Sequence, residues 1–171
     1  VEAFVEDMNR RAERLGLRDT RFFSPNGLDD RGYSTALDVA ELTRAAYADA
    51  VFGQIAGTRF HEIPAPSGKL RVVQNRNALL WRDASVDGIK TGQTKAAGYC
   101  LIASARRGTM RLIATVLGAA DDPGRVSASQ QLLDYGFRHF ETRLLIPAQT
   151  ANFSAAPLSQ RGRRPSPTWR K

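Results

Sequence analysis

Several things are scarce in these 171 residues, and each scarcity narrows what the chain does. There is one cysteine, Cys100, so no disulfide forms within the chain. Cys100 sits in an apolar run and reads as a small core residue rather than a nucleophile. His61 is alone on an expected edge strand and reads as a surface side chain. His139 reads as a residue at the solvent edge of a helix. No metal site and no cofactor are expected. No apolar run approaches the roughly 18 residues that a membrane-crossing helix needs. Val1 already lies in an amphipathic pattern, so no signal peptide is read here. Either the protein is cytoplasmic or a targeting segment lies upstream.

Acidic residues are missing from one region. Residues 151–171 hold Arg161, Arg163, Arg164, Arg170 and Lys171 and no Asp or Glu. The formal net charge is +8, but the first 150 residues carry 20 basic and 17 acidic side chains, a net of +3. The excess is a tail and not a face. Trp169 is the lone aromatic in the Arg-rich end, so the interleaving of a single-strand nucleic-acid platform is absent. No nucleic-acid partner is expected.

What is present is enough for one domain with a core. Val1, Phe4, Val5, Met8, Ala12 and Leu15 recur at helical spacing, and Gly16 suits a left-handed cap. The pattern opens in mid-period with no capping residue, so the natural chain is expected to begin earlier. Residues 18–34 contain the turn Pro25-Asn26-Gly27. Phe22, Phe23 and Leu28 would tack that loop to the core, either as a plain connection or as the lining of a cleft. Thr35-Ala36-Leu37-Asp38 resembles a capping box and opens a second helix. A short apolar segment follows over 51–55.

From residue 58 the period changes. Phe60–Pro64 and Lys69–Val73 read as a hairpin. Asn75-Arg76-Asn77 then leads into an apolar anchor, a pattern suited to holding polar groups in place. Tyr99–Ala105 and Met110–Leu117 flank Arg106-Arg107-Gly108-Thr109 and give the strongest hairpin pattern in the chain. Both strands are apolar on both faces, so helices must cover them on both sides. Asp122-Pro123 opens a last helix, with Asp122 as its cap and a buried face of Ser129, Leu132, Leu133, Gly136, Phe137 and Phe140, ending near Glu141. From Pro147 onward no period remains. The expectation is α+β, an antiparallel sheet flanked by helices on both faces, over residues 1–146, with 147–171 a basic, Pro/Ser-rich disordered tail or linker.

The chemistry concentrates in Val86-Asp87-Gly88-Ile89-Lys90-Thr91-Gly92-Gln93-Thr94, at the head of the apolar strands. A glycine lets a ligand backbone lie close to the strand. Thr91 offers a hydroxyl to a carboxylate, and Lys90 places positive charge where an anion binds or develops. Lys-Thr-Gly is one of three short motifs of penicillin-binding proteins and class A β-lactamases. Further strings agree: Asn26-Gly27-Leu28-Asp29, Tyr33-Ser34-Thr35-Ala36-Leu37-Asp38, Asn75 to Trp81, and Leu132-Leu133-Asp134-Tyr135-Gly136-Phe137. Over about residues 1–145 the chain resembles the D-alanyl-D-alanine carboxypeptidases, the low-molecular-weight penicillin-binding proteins of serine peptidase family S11.

The resemblance implies a β-lactamase-like (transpeptidase-like) fold, here N-terminally incomplete, and a serine acyl-enzyme mechanism on peptidoglycan stem peptides ending in D-Ala-D-Ala. β-Lactams would be inhibitors. It implies catalytic roles for Lys90, Thr91 and Gly92 and carboxylate recognition by Thr91 and Arg76. Arg125, matching an arginine before the family's last helix, would add to substrate binding. Gln93 stands where relatives often have His, and its backbone N–H would belong to the oxyanion hole. The family's Ser-x-x-Lys and Ser-x-Asn motifs lie upstream of the helix that opens this chain. Neither occurs here in a suitable place, and Ser104, Ser127 and Ser129 have no Lys three residues on. This chain alone is expected to be inactive. The substrate implies a periplasmic or extracytoplasmic protein, with membrane association only through segments outside this chain. The missing nucleophile leaves a second reading: a non-catalytic relative that binds peptidoglycan or a partner.

Overall fold

The computed structural model describes residues 1–66 and 68–143. The expected tail over 147–171 lies outside the described residues. The chain opens with α1 (Glu2–Arg14). Gly16, at φ +75°, lets the chain turn back. Leu17 N–H then donates to Ala12 O at 3.0 Å and Gly16 N–H to Glu13 O at 2.9 Å, the two bonds of a Schellman cap. The apolar stripe expected to be buried along α1 is not. Ala12 is its only buried residue, and Phe4 keeps 59% of its surface exposed, because little among the described residues packs over the first three turns.

The loop after α1 is held by side chains acting as backbone. The Asn9 amide donates to Phe22 O at 2.9 Å and accepts from Phe22 N–H at 2.8 Å. Leu28 does not anchor the loop; it is exposed. Helix α2 (Ala36–Ala46) starts as expected, with Thr35 Oγ1 accepting from Asp38 N–H at 3.2 Å. The reciprocal half of the box differs. Buried Asp38 turns away from the cap and accepts from Asp19 N–H and the Thr20 hydroxyl, tying the loop to α2. The apolar segment after it folds as a short helix, α3 (Ala50–Gly57), capped by Asp49.

Strands β1 (Phe60–Pro64) and β2 (Leu70–Gln74) form a separate antiparallel pair. After the one-turn helix α4 (Leu79–Arg82), strands β3 (Val86–Thr94), β4 (Gly98–Arg107) and β5 (Met110–Ala119) make an antiparallel sheet in that order. Successive residues of β4 face opposite sides. Leu101, Ala103 and Ala105 pack with Val126 and Leu133 of α5 (Asp122–His139), joined by Leu79, Leu80 and Val86. Ile102 and Ser104 face α2 and α3. The helix-covered antiparallel sheet expected from the sequence is therefore the observed architecture.

Helix α5 departs from expectation in detail. Its cap is Asp121, whose carboxylate accepts from Gly124 N–H at 2.6 Å, so Asp122 is already helical. It ends at His139, and Leu132 and Phe140 are exposed. Of the expected buried face, Ser129, Leu133 and Gly136 are buried and Phe137 packs against the core, and Arg125 and Val126 extend that stripe toward the first turn. Cys100 is partly exposed rather than a core residue.

Candidate active site

Lys90, Thr91, Gly92 and Gln93 all lie on β3, which pairs with β4 on one side and forms the edge of the three-stranded sheet. Their partners are Ile102, Leu101, Cys100 and Tyr99. Beside them a cavity of about 690 Å³ opens between α2, α3 and the sheet. Val39, Leu42, Phe52, Ile55 and Ile102 give it apolar walls, and Lys90, Thr91, Asn75 and Arg76 supply polar groups. The Lys90 ammonium is exposed and folds back onto the Thr91 carbonyl.

Arg76 is held by its neighbours. The Asn75 amide donates to Ala56 O and Thr58 O, both at 3.1 Å, while its oxygen accepts from Asn77 N–H at 3.0 Å. Asn77, fully buried, accepts from Leu79 N–H at 3.1 Å and starts α4. The two asparagines fix the loop, and the Arg76 guanidinium is left exposed, with no hydrogen bond or ion pair among the described residues. Arg76 thus joins Lys90 and Thr91 at one cavity.

Arg125 stands elsewhere. It lies in the first turn of α5, not before the helix, and does not line the Lys90 cavity. Its Nη1 donates to Gly92 O at 2.9 Å and Cys100 O at 3.0 Å, its Nη2 pairs with Asp122, and its guanidinium lies over the Tyr99 ring. Arg125 grips the Lys-Thr-Gly strand from behind. Gln93 lines neither the Lys90 cavity nor the cavity beside Arg125.

Two glycines of the motif differ in what the fold asks of them. A Cβ at Gly88, whose φ is +149°, would stand 2.9 Å from the Tyr47 hydroxyl and 3.2 Å from the Ala56 methyl. At Gly92 the nearest atom would be the Cys100 Cβ at 3.9 Å, an ordinary contact. The fold requires glycine at 88 and leaves residue 92 free.

One cluster supports β3 without any motif to announce it. The Tyr47 hydroxyl donates to Asp87 O at 3.0 Å, and Arg111 meets the Asp87 carboxylate with both nitrogens, at 2.9 and 2.7 Å. Arg111 also binds the Ser104 hydroxyl and lies 4.6 Å over the Tyr47 ring. Burial, followed by the Asp87 charge, pushes the Tyr47 hydroxyl above its ordinary pKa, which keeps it a neutral donor. The register of β3, β4 and β5 brings Asp87, Ser104 and Arg111 together, and the end of α2 adds Tyr47.

Among the described residues no serine lines the cavity beside Lys90. Ser104 and Ser129 are fully buried. Ser24-Pro25-Asn26 has the spacing of Ser-x-Asn but lies on the loop after α1, where Asn26 Oδ1 accepts from Leu28 N–H at 3.0 Å. Among the described residues no cluster of metal-ligating side chains is found, and no helix is long and apolar enough to cross a membrane.

Residues 1–121 match the family model for D-alanyl-D-alanine carboxypeptidase, peptidase S11. The chain is 45% identical over 148 residues to D-alanyl-D-alanine carboxypeptidase DacC of Escherichia coli K12, with 82% of this chain and 35% of the relative aligned. It superposes on the Streptomyces K15 DD-transpeptidase with a TM-score of 0.75 at 32% identity, covering 81% of this chain and 55% of that one. A cefotaxime-bound penicillin-binding protein D2 from Listeria monocytogenes gives a TM-score of 0.69 at 31% identity, over 78% of this chain and 55% of that one. The chain spans about a third of the length of its curated relative. On these matches the chain belongs to the S11 family of D-alanyl-D-alanine carboxypeptidases.

Proposed function

We propose that the chain is the Lys-Thr-Gly portion of a serine-type D-Ala-D-Ala carboxypeptidase, and that the Ser-x-x-Lys nucleophile and the Ser-x-Asn motif come from polypeptide outside these 171 residues. The observation that carries the reading is Gly92. It sits on the outer strand of the sheet, between a threonine and a glutamine, and nothing inside the fold needs it to be glycine. A residue kept free of side chain on an open strand edge suits a peptide that adds to that edge as a further strand.

On this reading the stem peptide lies along β3. Its terminal carboxylate meets the Thr91 hydroxyl and the exposed Arg76 guanidinium, a pairing that is two-pronged when side-on. The Gln93 backbone N–H stabilises the tetrahedral oxyanion, a role that survives the change from His to Gln because the donor belongs to the backbone. Lys90 sets the positive potential around the attacking serine. The last D-alanine leaves, and water releases the shortened peptide from the acyl-enzyme. Arg125 serves the site through Gly92, by holding the strand. β-Lactams would acylate the same serine, and the substrate places the protein outside the cytoplasmic membrane.

The experiment is release of D-alanine from an N-acylated peptide ending in D-Ala-D-Ala, by the polypeptide that unites this chain with its nucleophile segment. Stoichiometric release with loss of one residue supports the reading. A continuous reading frame upstream that lacks both serine motifs would leave the alternative, a peptidoglycan-binding relative without catalysis. The lack of a serine at the Lys90 cavity among the described residues motivates that second reading.

A further inference from the structure

The pairing of β3 with β4 slips at one point. Val86 stands opposite Ala105 and Gly88 opposite Ser104, so Asp87 has no partner in the register. A bulge of this kind shifts every later residue of the strand by one place, and a shift of one place exchanges the two faces. Ala105 belongs to the core against α5, whereas Ser104 faces α2 and α3. Beyond the bulge Lys90 stands opposite Ile102, a wall of the cavity between α2, α3 and the sheet. With Asp87 in the ladder, Lys90 would stand opposite Leu101 instead, on the side of α5. The bulge therefore decides which face receives the Lys90 side chain.

Side chains from two other elements hold that bulge. The Tyr47 hydroxyl, at the end of α2, donates to Asp87 O at 3.0 Å. Arg111, on β5, meets the Asp87 carboxylate with both nitrogens, and its guanidinium lies 4.6 Å over the Tyr47 ring. Helix α3 presses on the same carbonyl, since a Cβ at Gly57 would stand 2.9 Å from Asp87 O. The Tyr47 ring also meets Phe52 edge-on at 5.8 Å between centroids, and Phe52 is another wall of the Lys90 cavity. One tyrosine thus touches the bulge, its counter-ion and the wall facing Lys90.

We propose that Tyr47 is a positioning residue for the Lys90 strand, its hydroxyl clamping the bulge at Asp87 and so fixing the face and place of Lys90. The inference rests on the acyl-transfer role given to Lys90 above. Tyr47 touches no reacting group and acts only through Asp87 and the strand. Tyr47→Phe removes the clamp and keeps the ring, with its contacts to Phe52 and Arg111. Misplacing a reacting group by about 1 Å can cost on the order of 100-fold in rate, so the loss belongs to the chemical step and not to ligand capture.

The test uses the polypeptide that joins this chain to its nucleophile segment, labelled with a fluorescent penicillin over a range of concentrations. Tyr47→Phe is expected to lower the saturating labelling rate about tenfold and to leave the half-saturating concentration within about twofold. Backbone hydrogen exchange should quicken over residues 86–94 and stay unchanged over α5. Asp83→Asn, which loosens the contact with Gln130 on α5, is the control for general softening and should keep the wild-type labelling rate. The same rate loss in Tyr47→Phe and Asp83→Asn would overturn the positioning role, as would a loss confined to the half-saturating concentration. Unchanged exchange over residues 86–94 would overturn the clamp. If the wild type labels and Tyr47→Phe labels as fast, only this inference falls. If the wild type takes no label, the acyl-transfer reading falls and takes the positioning role with it.

Discussion

The guanidinium of Arg125 lies 2.9 Å from the carbonyl oxygen of Gly92, across the gap between the last helix and the Lys-Thr-Gly strand. The same nitrogen reaches Cys100 O at 3.0 Å, on the paired strand. One buried cation therefore fixes β3 and β4 to α5 directly behind the candidate site. Arg125→Ala would leave two carbonyls and Asp122 without their donor. We expect a loss of about 3 kcal/mol of unfolding free energy in urea, given roughly 1.5–3 kcal/mol for a hydrogen bond to a charged group. An arginine acting only on substrate would leave the urea midpoint where it was.

Gly88 and Gly92 are predicted to behave oppositely. Gly88→Ala drives a methyl group toward the Tyr47 hydroxyl and the Ala56 methyl, and asks alanine to hold a φ of +149°. It should cost about 2–4 kcal/mol, as overpacking with backbone strain does. Gly92→Ala meets only an ordinary contact and should change stability by less than about 1 kcal/mol, while acylation of the complete enzyme falls sharply. Equal destabilisation by both changes would remove the case for Gly92 as a ligand-facing residue.

Asp83 supplies a pH dependence with a defined sign. Burial raises its pKa, but hydrogen bonds from Ser85, Gln130 and Arg107 outweigh burial and bring it down from 3.8 to about 2. A carboxyl whose folded pKa is depressed adds stability above its unfolded value and loses it as pH falls through the folded one. Its contribution of about 2 kcal/mol should be complete above pH 4 and fade as pH falls toward 2. Asp83→Asn should therefore destabilise the protein at pH 6 and match the wild type near pH 2. A constant offset between the two across that range would contradict the assignment.

The hairpins and the sheet's helical cover were legible because strand period, turn residues and doubly apolar strands are local signals. Lys90 and Arg76 were legible for the same reason, each sitting inside a short contiguous string. The Tyr47–Asp87–Arg111 cluster was not, since its members come from the end of α2, β3 and β5 and meet only through strand register and the packing of α2 on the sheet. Asp121 and Asp122 were exchanged as caps because adjacent acids before Pro123 satisfy the same pattern, and only the Gly124 hydrogen bond separates them. The hold of Arg125 on Gly92 and Cys100 was not legible either, because its burial and its carbonyl partners are set by how α5 packs on the sheet.

The central claim is that the Lys90 strand forms one wall of a serine acyl-transfer site. Covalent labelling by a fluorescent penicillin tests it most directly, using the polypeptide that joins this chain to its nucleophile segment, with Lys90→Ala beside the wild type. The account predicts one adduct per molecule for the wild type, and a labelling rate lower by about 100-fold or more for Lys90→Ala at an unchanged thermal midpoint. No adduct on the wild type, or the same labelling rate in both proteins, would contradict it.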